Sequence, residues 1–381
     1  MDFSLSEEQV LLQDSVAKFV RDQCDVDRHR KLVREKTAFD LHTWQQFAEL
    51  GWLSVPFADE FGGFGGGAVD VMVVAEALGK GIVREPYLST VVTCGAFLRR
   101  GSSDDQHSGY IENIIDGSKR WAFAFAESDS GYDLAAVSTS AEADGDNYLL
   151  NGSKIAVVDG DSADYLIVSV RTSGADRNRG GISLLIVDVN TPGVTRDSFT
   201  RVDGGGAANI EFKNCVVNAE QLLGTPGQAY FLMQDVIDES IVAMGAEALG
   251  TMQTLLDSTV EYTKTRKQFG QPIGKFQALQ HRMADMYLKL EETRSLVLNA
   301  AIQIDSGSEE APSACAALKV KICEAGKYIS QQAVQLHGGI GMTDELIIGH
   351  HFKRLLVLGM HYGDEDYHLQ RYIELSRAEA S

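Results

Sequence analysis

Hydrophobic positions change period twice along this chain. From residue 4 to about 118 they recur at helical spacing: Val10, Leu11, Val16, Phe19 and Val20 follow Ser6, Glu7 and Glu8, a good amino-terminal cap. The same spacing predicts helices over 41–50 and 70–78, separated by Phe61-Gly62-Gly63-Phe64-Gly65-Gly66-Gly67. That loop has no strand before it and no Gly-Lys-Ser/Thr after it, so it reads as a flexible connector rather than a phosphate loop. At Trp121 the period shortens to two, with Trp121, Phe123 and Phe125 alternating with alanines as in a strand. Strand patterns follow at 148–150 and 154–158, around the favoured hairpin dipeptide Asn151-Gly152, and again at 165–170, 182–187 and 209–212. Helical periodicity returns near Gly227. It predicts long helices over 229–264, 276–306 and 313–336 and a last one after Asp364, with Pro272, Pro312 and nearby glycines supplying the breaks.

This order predicts an α+β multidomain fold: an N-terminal α-helical domain over 1–118, a middle β-barrel-like domain over 119–226, and a C-terminal four-helix bundle over 227–381. The 381 residues exceed one small core. With 34 basic against 54 acidic residues, the formal charge of −20 excludes a general nucleic-acid binder. An anionic ligand must then be gripped by locally placed Arg, Lys and backbone N–H groups. The five cysteines (Cys24, Cys94, Cys215, Cys315, Cys323) show no CxxC or Cys/His spacing, so they read as reduced core thiols, and no metal site is expected. Met1-Asp2-Phe3-Ser4-Leu5-Ser6 has neither a basic n-region nor an apolar h-region, and no apolar run reaches spanning length. A cytoplasmic protein with no membrane partner is expected.

Two segments carry most of the chemistry. Arg266-Lys267-Gln268-Phe269-Gly270-Gln271-Pro272-Ile273 puts a guanidinium fork and an aromatic ring between two helical stretches. Gln335-Leu336-His337-Gly338-Gly339-Ile340-Gly341 ends a helix in a glycine-rich bend whose N–H groups can grip a phosphate. In this order and at this distance the pair resembles the flavin signature of the acyl-CoA dehydrogenase family, in which both segments serve an FAD held across a subunit interface. The resemblance implies that Arg266, Phe269 and Gln277 serve the FAD and that Gln335, Gly338 and Gly339 meet the adenosine and pyrophosphate side of a neighbouring subunit's flavin; Thr343 and Glu345 continue the match less specifically. His337 reads as packing. In the β region the family's Thr-Glu-Pro…Gly-Ser-Asp stretch falls on Phe125-Ala126-Glu127-Ser128-Asp129-Ser130-Gly131-Tyr132-Asp133, and its Trp-Ile-Thr on Ala156-Val157-Val158. Phe125, Ala126 and Val158 therefore stand at the flavin positions, but Ala126 and Tyr132 have replaced the expected hydroxyls and Ala156 the Trp.

Dehydrogenation of an acyl-CoA needs a carboxylate to take the α-proton while the β-hydrogen leaves for the flavin. The family's usual base position falls on Tyr362, and that of a second branch on Ser240. The Arg that follows the latter is replaced by Ile241. Glu247 is the candidate in their place. It lies in the apolar run 241–250, where an ion is costly, and shares a helix face with Ser240, Ala243, Gly250, Thr251 and Thr254, all small enough to admit a ligand. Desolvation there would raise its basicity; the alternative is a Glu paired with an arginine or a backbone donor. Glu239 is the second choice, set in the charged cluster of Asp235 and Asp238 and read as a surface residue.

The start 1–9, Glu85-Pro86-Tyr87-Leu88 and 338–345 look most like small subunits of dicarboxylyl-CoA (pimeloyl-CoA) dehydrogenases and bacterial sterol side-chain enzymes. The resemblance implies an acyl-CoA substrate, an electron-transfer flavoprotein as partner, and either a homotetramer or an α2β2 heterotetramer with a paralogous subunit. Two other readings stand beside an active dehydrogenase: a catalytically degenerate partner subunit, and a related flavin oxidase or monooxygenase on a substrate without CoA.

Overall fold

The computed structural model describes residues 4–101 and 108–379, so Met1, Asp2 and Phe3 of the segment read for a leader lie outside it. In chain order the helices are α1 (Glu7–Gln23), α2 (Val26–Glu35), α3 (Leu41–Glu49), α4 (Ala68–Gly79), α5 (Gly95–Gly101) and α6 (Ser108–Ile115). After the strands come α7 (Ala229–Thr265), α8 (Gln277–Asp305), α9 (Ala311–His337), α10 (Ile347–Met360) and α11 (Glu365–Glu379). The chain divides into two compact units, the first Met1–Glu35, Gly67–Val83 and Ile241–Ser381, the second Lys36–Gly66 and Arg84–Ser240. The boundary falls inside α7, after Ser240.

The second unit is built on eight strands: β1 (Trp121–Ala124), β2 (Ser140–Asp144), β3 (Asn147–Val158), β4 (Tyr165–Arg171), β5 (Ile182–Asp188), β6 (Val194–Thr200), β7 (Gly206–Asn218) and β8 (Leu222–Leu223). They pair in the order β6-β7-β3-β2-β4-β5-β8, with β1 parallel to β4. Leu150, Leu166, Val168, Leu185, Val187, Ile210 and Phe212 form its core. A π-helical segment, Tyr87–Cys94, is tied to β1 by Thr90, whose hydroxyl accepts from Trp121 N–H at 3.0 Å and donates to Trp121 O at 3.2 Å.

The hairpin expected at Asn151-Gly152 is absent, because β3 runs through it as one strand. The turn comes earlier, at Gly145 and Asp146, where Asp144 pairs with Asn147. Gly152 serves a bulge instead: its φ is 143°, the pairing with β7 slips there, and a Cβ would lie 2.6 Å from Thr139 Cα. The loop 61–67 is likewise no slack connector. Phe64, Gly65 and Gly66 donate their N–H groups to Ser54, Phe57 and Val55 carbonyls at 3.3, 2.7 and 2.9 Å.

In the first unit α1 packs on α4, and α9 on α8, α10 and α11. Ser6 and Gln9 cap α1 reciprocally. Asp305, at the end of α8, caps α4 by accepting from Ala68 N–H at 2.5 Å and Val69 N–H at 3.0 Å. The helix α10 joins the four that periodicity marks in 227–381. All five cysteines are free thiols, four buried and Cys323 half-buried. Among the described residues no helix is long and apolar enough to cross a membrane.

Two glycines let α4 and α7 meet backbone to backbone. A Cβ on Gly250 would overlap Glu76 O, and one on Gly79 would overlap Glu247 O. Gly250→Ala should therefore lower the thermal midpoint, costing about 1–3 kcal/mol as an overpacked core does. In an open helix the same change would stabilise by roughly 0.5–1 kcal/mol, so the sign of the shift in a melting curve decides between the two.

Candidate active site

At one end of the first unit α7 stops and Arg266 leads into a short hairpin, β9 (Lys267–Gln268) against β10 (Gln271–Pro272). Its turn needs positive φ at Phe269 (51°) and Gly270 (79°). Glycine adopts this freely, but a phenylalanine does so at a cost. The strained residue holds its ring 91% exposed, edge-on to Phe276. Arg266 is fixed through its backbone, donating to Tyr262 O at 2.9 Å and accepting from Ile273 N–H at 2.8 Å. Its exposed guanidinium makes no hydrogen bond or ion pair with a described residue.

The glycine bend lies at the same end. Helix α9 stops at Gly338, whose φ of 68° and ψ of −147° are a glycine conformation. A Cβ on Gly338 or Gly339 would meet nothing within 4 Å. Tyr262, one turn before Arg266, stacks on His337 at 4.4 Å and donates its hydroxyl to His337 O at 3.3 Å. Arg282 donates to Gln332 Oε1 at 2.9 Å, tying the start of α8 to the end of α9. Tyr262 and Arg282, which flank 266–277, are thus both tied to the end of α9, and Gln277, Gln335 and Thr343 are exposed. A free guanidinium one turn after Tyr262, which packs on the residue before the glycines, is suited to a pyrophosphate in a chain of charge −20.

In the second unit Phe125, Ala126 and Val158 are half-buried where β1 and β3 end. Ala126 O accepts from Ile155 N–H at 2.8 Å, and Ala156, at φ 49°, donates to Asn209 Oδ1 at 3.0 Å. Phe125 stacks on Phe123 at 5.1 Å. This patch offers a flat ring apolar faces and main chain in place of the family's hydroxyls. Beneath it sits a pair that sequence reasoning missed. Lys154, wholly buried, donates to Glu127 Oε1 at 2.7 Å, Ser169 Oγ at 3.0 Å and Phe125 O at 3.2 Å. Burial lowers the Lys154 ammonium to about 8 against the pull of Glu127. The Glu127 carboxyl, though burial opposes its charge, is held down to about 2 by Lys154 and Ser138. The signal was the period of two, which puts Lys154 on the inward face with Leu150.

The two candidate bases are both ion-paired. Glu247 receives Arg354 through Nε at 2.5 Å and Nη2 at 3.0 Å. The small face around it admits a helix and not a ligand: Thr251 and Thr254 donate their hydroxyls to Gly79 O and Lys80 O at 3.0 and 2.9 Å, and Gly250 meets α4. Glu239 is buried rather than solvated, held by Arg99 and by Arg100 at 2.9 and 3.1 Å. Ser240 donates to Val236 O at 2.7 Å and shares a 2.8 Å hydrogen bond with Thr93. Tyr362, at φ 59°, stacks on His361, and its carbonyl faces His368 Nε2 at 2.8 Å.

In chain order helices precede and follow the strands, and the first unit carries a cationic hairpin and a glycine bend, the organisation that a flavoprotein dehydrogenase implies. Family models agree along the chain: acyl-CoA dehydrogenase N-terminal domain at residues 6–118, middle domain at 122–215 and C-terminal domain at 230–374. The probable acyl-CoA dehydrogenase YngJ of Bacillus subtilis is 31% identical over 350 residues, 91% of each chain. Butyryl-CoA dehydrogenase from Megasphaera elsdenii superposes with a TM-score of 0.92 at 26% identity, covering 98% of each chain. A chain of the ChsE4–ChsE5 complex from Mycobacterium tuberculosis gives 0.89 at 26% identity, covering 100% of this chain and 99% of that one. The chain belongs to the acyl-CoA dehydrogenase family, oxidoreductases acting on CH–CH bonds with FAD as cofactor.

Two ion pairs give measurable predictions. Lys154→Met strands the Glu127 carboxylate and should cost about 3–5 kcal/mol, whereas Lys154→Met with Glu127→Gln should recover much of that, as read by thermal unfolding. Glu247→Gln should cost about 2 kcal/mol through loss of its charged hydrogen bonds. In a double-mutant cycle with Arg354→Met the two effects should be strongly non-additive.

Proposed function

We propose that this chain works as an FAD-dependent acyl-CoA dehydrogenase, desaturating an acyl-CoA thioester between its α- and β-carbons and passing electrons to an electron-transfer flavoprotein. What supports this reading is that Tyr262 stacks on His337 and Arg282 bonds Gln332, which links the stretch carrying Arg266 and Gln277 to the one carrying Gln335, Gly338 and Gly339. Arg266 and the glycine bend would hold the pyrophosphate, Phe269 would cover a ring, and Phe125, Ala126 and Val158 would line the flavin with apolar and main-chain atoms. Bound FAD supplies the hydride acceptor. The exposed Phe269, Ile340 and Met342 fit a surface that a second subunit completes, in a homotetramer or an α2β2 assembly. In this reading Glu247 is the base, and its carboxylate must be released from Arg354 and turned away from α4 before it takes the α-proton.

One observation favours a second reading, the degenerate partner subunit of an α2β2 enzyme. Glu239 and Glu247 are both engaged by arginines, and the two family base positions carry Ser240 and Tyr362. A paralogous subunit would then bring the base, and Glu247–Arg354 would serve as a brace.

The visible spectrum of the protein purified alone, followed by anaerobic addition of straight-chain, dicarboxylic and sterol-derived acyl-CoA esters, separates the readings. Flavin that bleaches with one ester class, and no longer does so in a folded Glu247→Gln variant, is expected for the enzyme. A colourless protein that gains flavin and bleaching only with a co-expressed paralogue supports the partner subunit. Bound flavin that no ester reduces points to chemistry without CoA.

A further inference from the structure

The glycine bend packs through Gly341 on one buried histidine, His337, and is tied at its end by another, His350, for which neither the flavin signature nor the proton chemistry has a use. At its start His337 is 6% exposed, stacked on Tyr262, with Nδ1 2.8 Å from Ala333 O. At its end His350 is 6% exposed, with Nε2 3.2 Å from Asp344 O. A carbonyl only accepts, so the nitrogen facing it must carry the proton in each ring. The other nitrogen, His337 Nε2 or His350 Nδ1, is where a second proton would go.

We propose that His337 and His350 are positioning residues that clamp the bend 338–344 in their neutral forms and loosen it in mild acid, so that the chain's hold on its cofactor depends on pH. The proposal rests on the flavin reading above for its ligand, though the clamp itself belongs to the fold.

The surroundings oppose a second proton. His337 lies among apolar groups and Tyr262, and burial lowers its pKa despite the Ala333 carbonyl. His350 faces His29 and Arg30 of α2, His351 and Lys353 of its own helix, and Asp344 of the bend. Its pKa too is lowered, first by burial and then by Lys353 and Arg30, while Asp344 works the other way. The His29 ring stands edge-on at 4.6 Å. His351 lies behind, 1% exposed, and stays packed. When the bend lifts away, both clamp histidines lose part of their cover and move back toward the ordinary imidazole value near 6.5. Below that value the open bend binds more protons than the closed one. The closed form is therefore favoured above about pH 6.5 and loses ground as the pH falls toward the lowered values.

Amide hydrogen exchange of 338–344, corrected for intrinsic rates, tests this with the full-length protein and needs no flavin. Protection should fall about tenfold or more between pH 7.5 and 5.5, a factor worth one pH unit of linkage. Flavin retention, followed by the fluorescence released into a desalted filtrate, should fall in parallel. His337→Phe keeps the stacked ring and His350→Gln keeps a donor for Asp344 O, and neither titrates. The double variant should hold both protection and flavin across this range. Constant protection in the natural protein, or an equal acid loss in the variant, overturns the proposal. If the double variant does not fold, folded His350→Gln alone must lose part of the response, and an unchanged response overturns the proposal equally. A protein without flavin at pH 8 counts against the flavin reading, while the exchange data still decide the clamp.

Discussion

A charge taken out of water must find its opposite, and this chain has few cations to offer. At −20 overall, it commits them inward: Lys154 to Glu127, Arg294 to Glu76, Arg354 to Glu247, and Arg99 with Arg100 to Glu239. Each match joins elements far apart in sequence, so each fixes a register that apolar packing alone leaves free. Their net contribution to stability is modest, because desolvation offsets most of the attraction. What they supply is uniqueness of arrangement. The same constraint shapes the chemistry, since a carboxylate already bound to a guanidinium must be released or reoriented before it can take a proton from carbon.

Arg266 is not committed in this way. It is exposed and without a partner among the described residues. Phe269 beside it holds a left-handed backbone that phenylalanine disfavours. An uncommitted charge and a strained backbone lie three residues apart at the end of α7, and the cofactor proposal rests on both.

Much of this could be read in advance. The periods of 3.6 and 2 marked the long helices and most of the sheet, because burial on one face writes itself directly into the order of residues. Glycine was harder. At 151–152 it looked like a turn and is a bulge; at 250 it looked like room for a ligand and is room for α4. Both errors share one cause: a missing side chain shows that something comes close and not what it is. Charges failed similarly. Glu239 sits among other acids in sequence and looked solvated, and only folding brings Arg99 and Arg100 to it. The flavin signature could be recognised because Arg266, Phe269 and the glycine bend stand in a local order that resembles the family's.

The first unit is assembled from three separated pieces of chain, with the residues of the second emerging between them. During synthesis α1 can find α4 early, but the face of α4 that carries Gly79, and the His29 side of α2, have no partner until α7 and α10 leave the ribosome. At about 5–20 residues per second, making the stretch 84–240 takes roughly 8–30 s. For that interval the second unit is still being made, while the opening helices wait as an unfinished, partly apolar surface. The order of synthesis, and not the finished contacts, sets how long that surface stays uncovered.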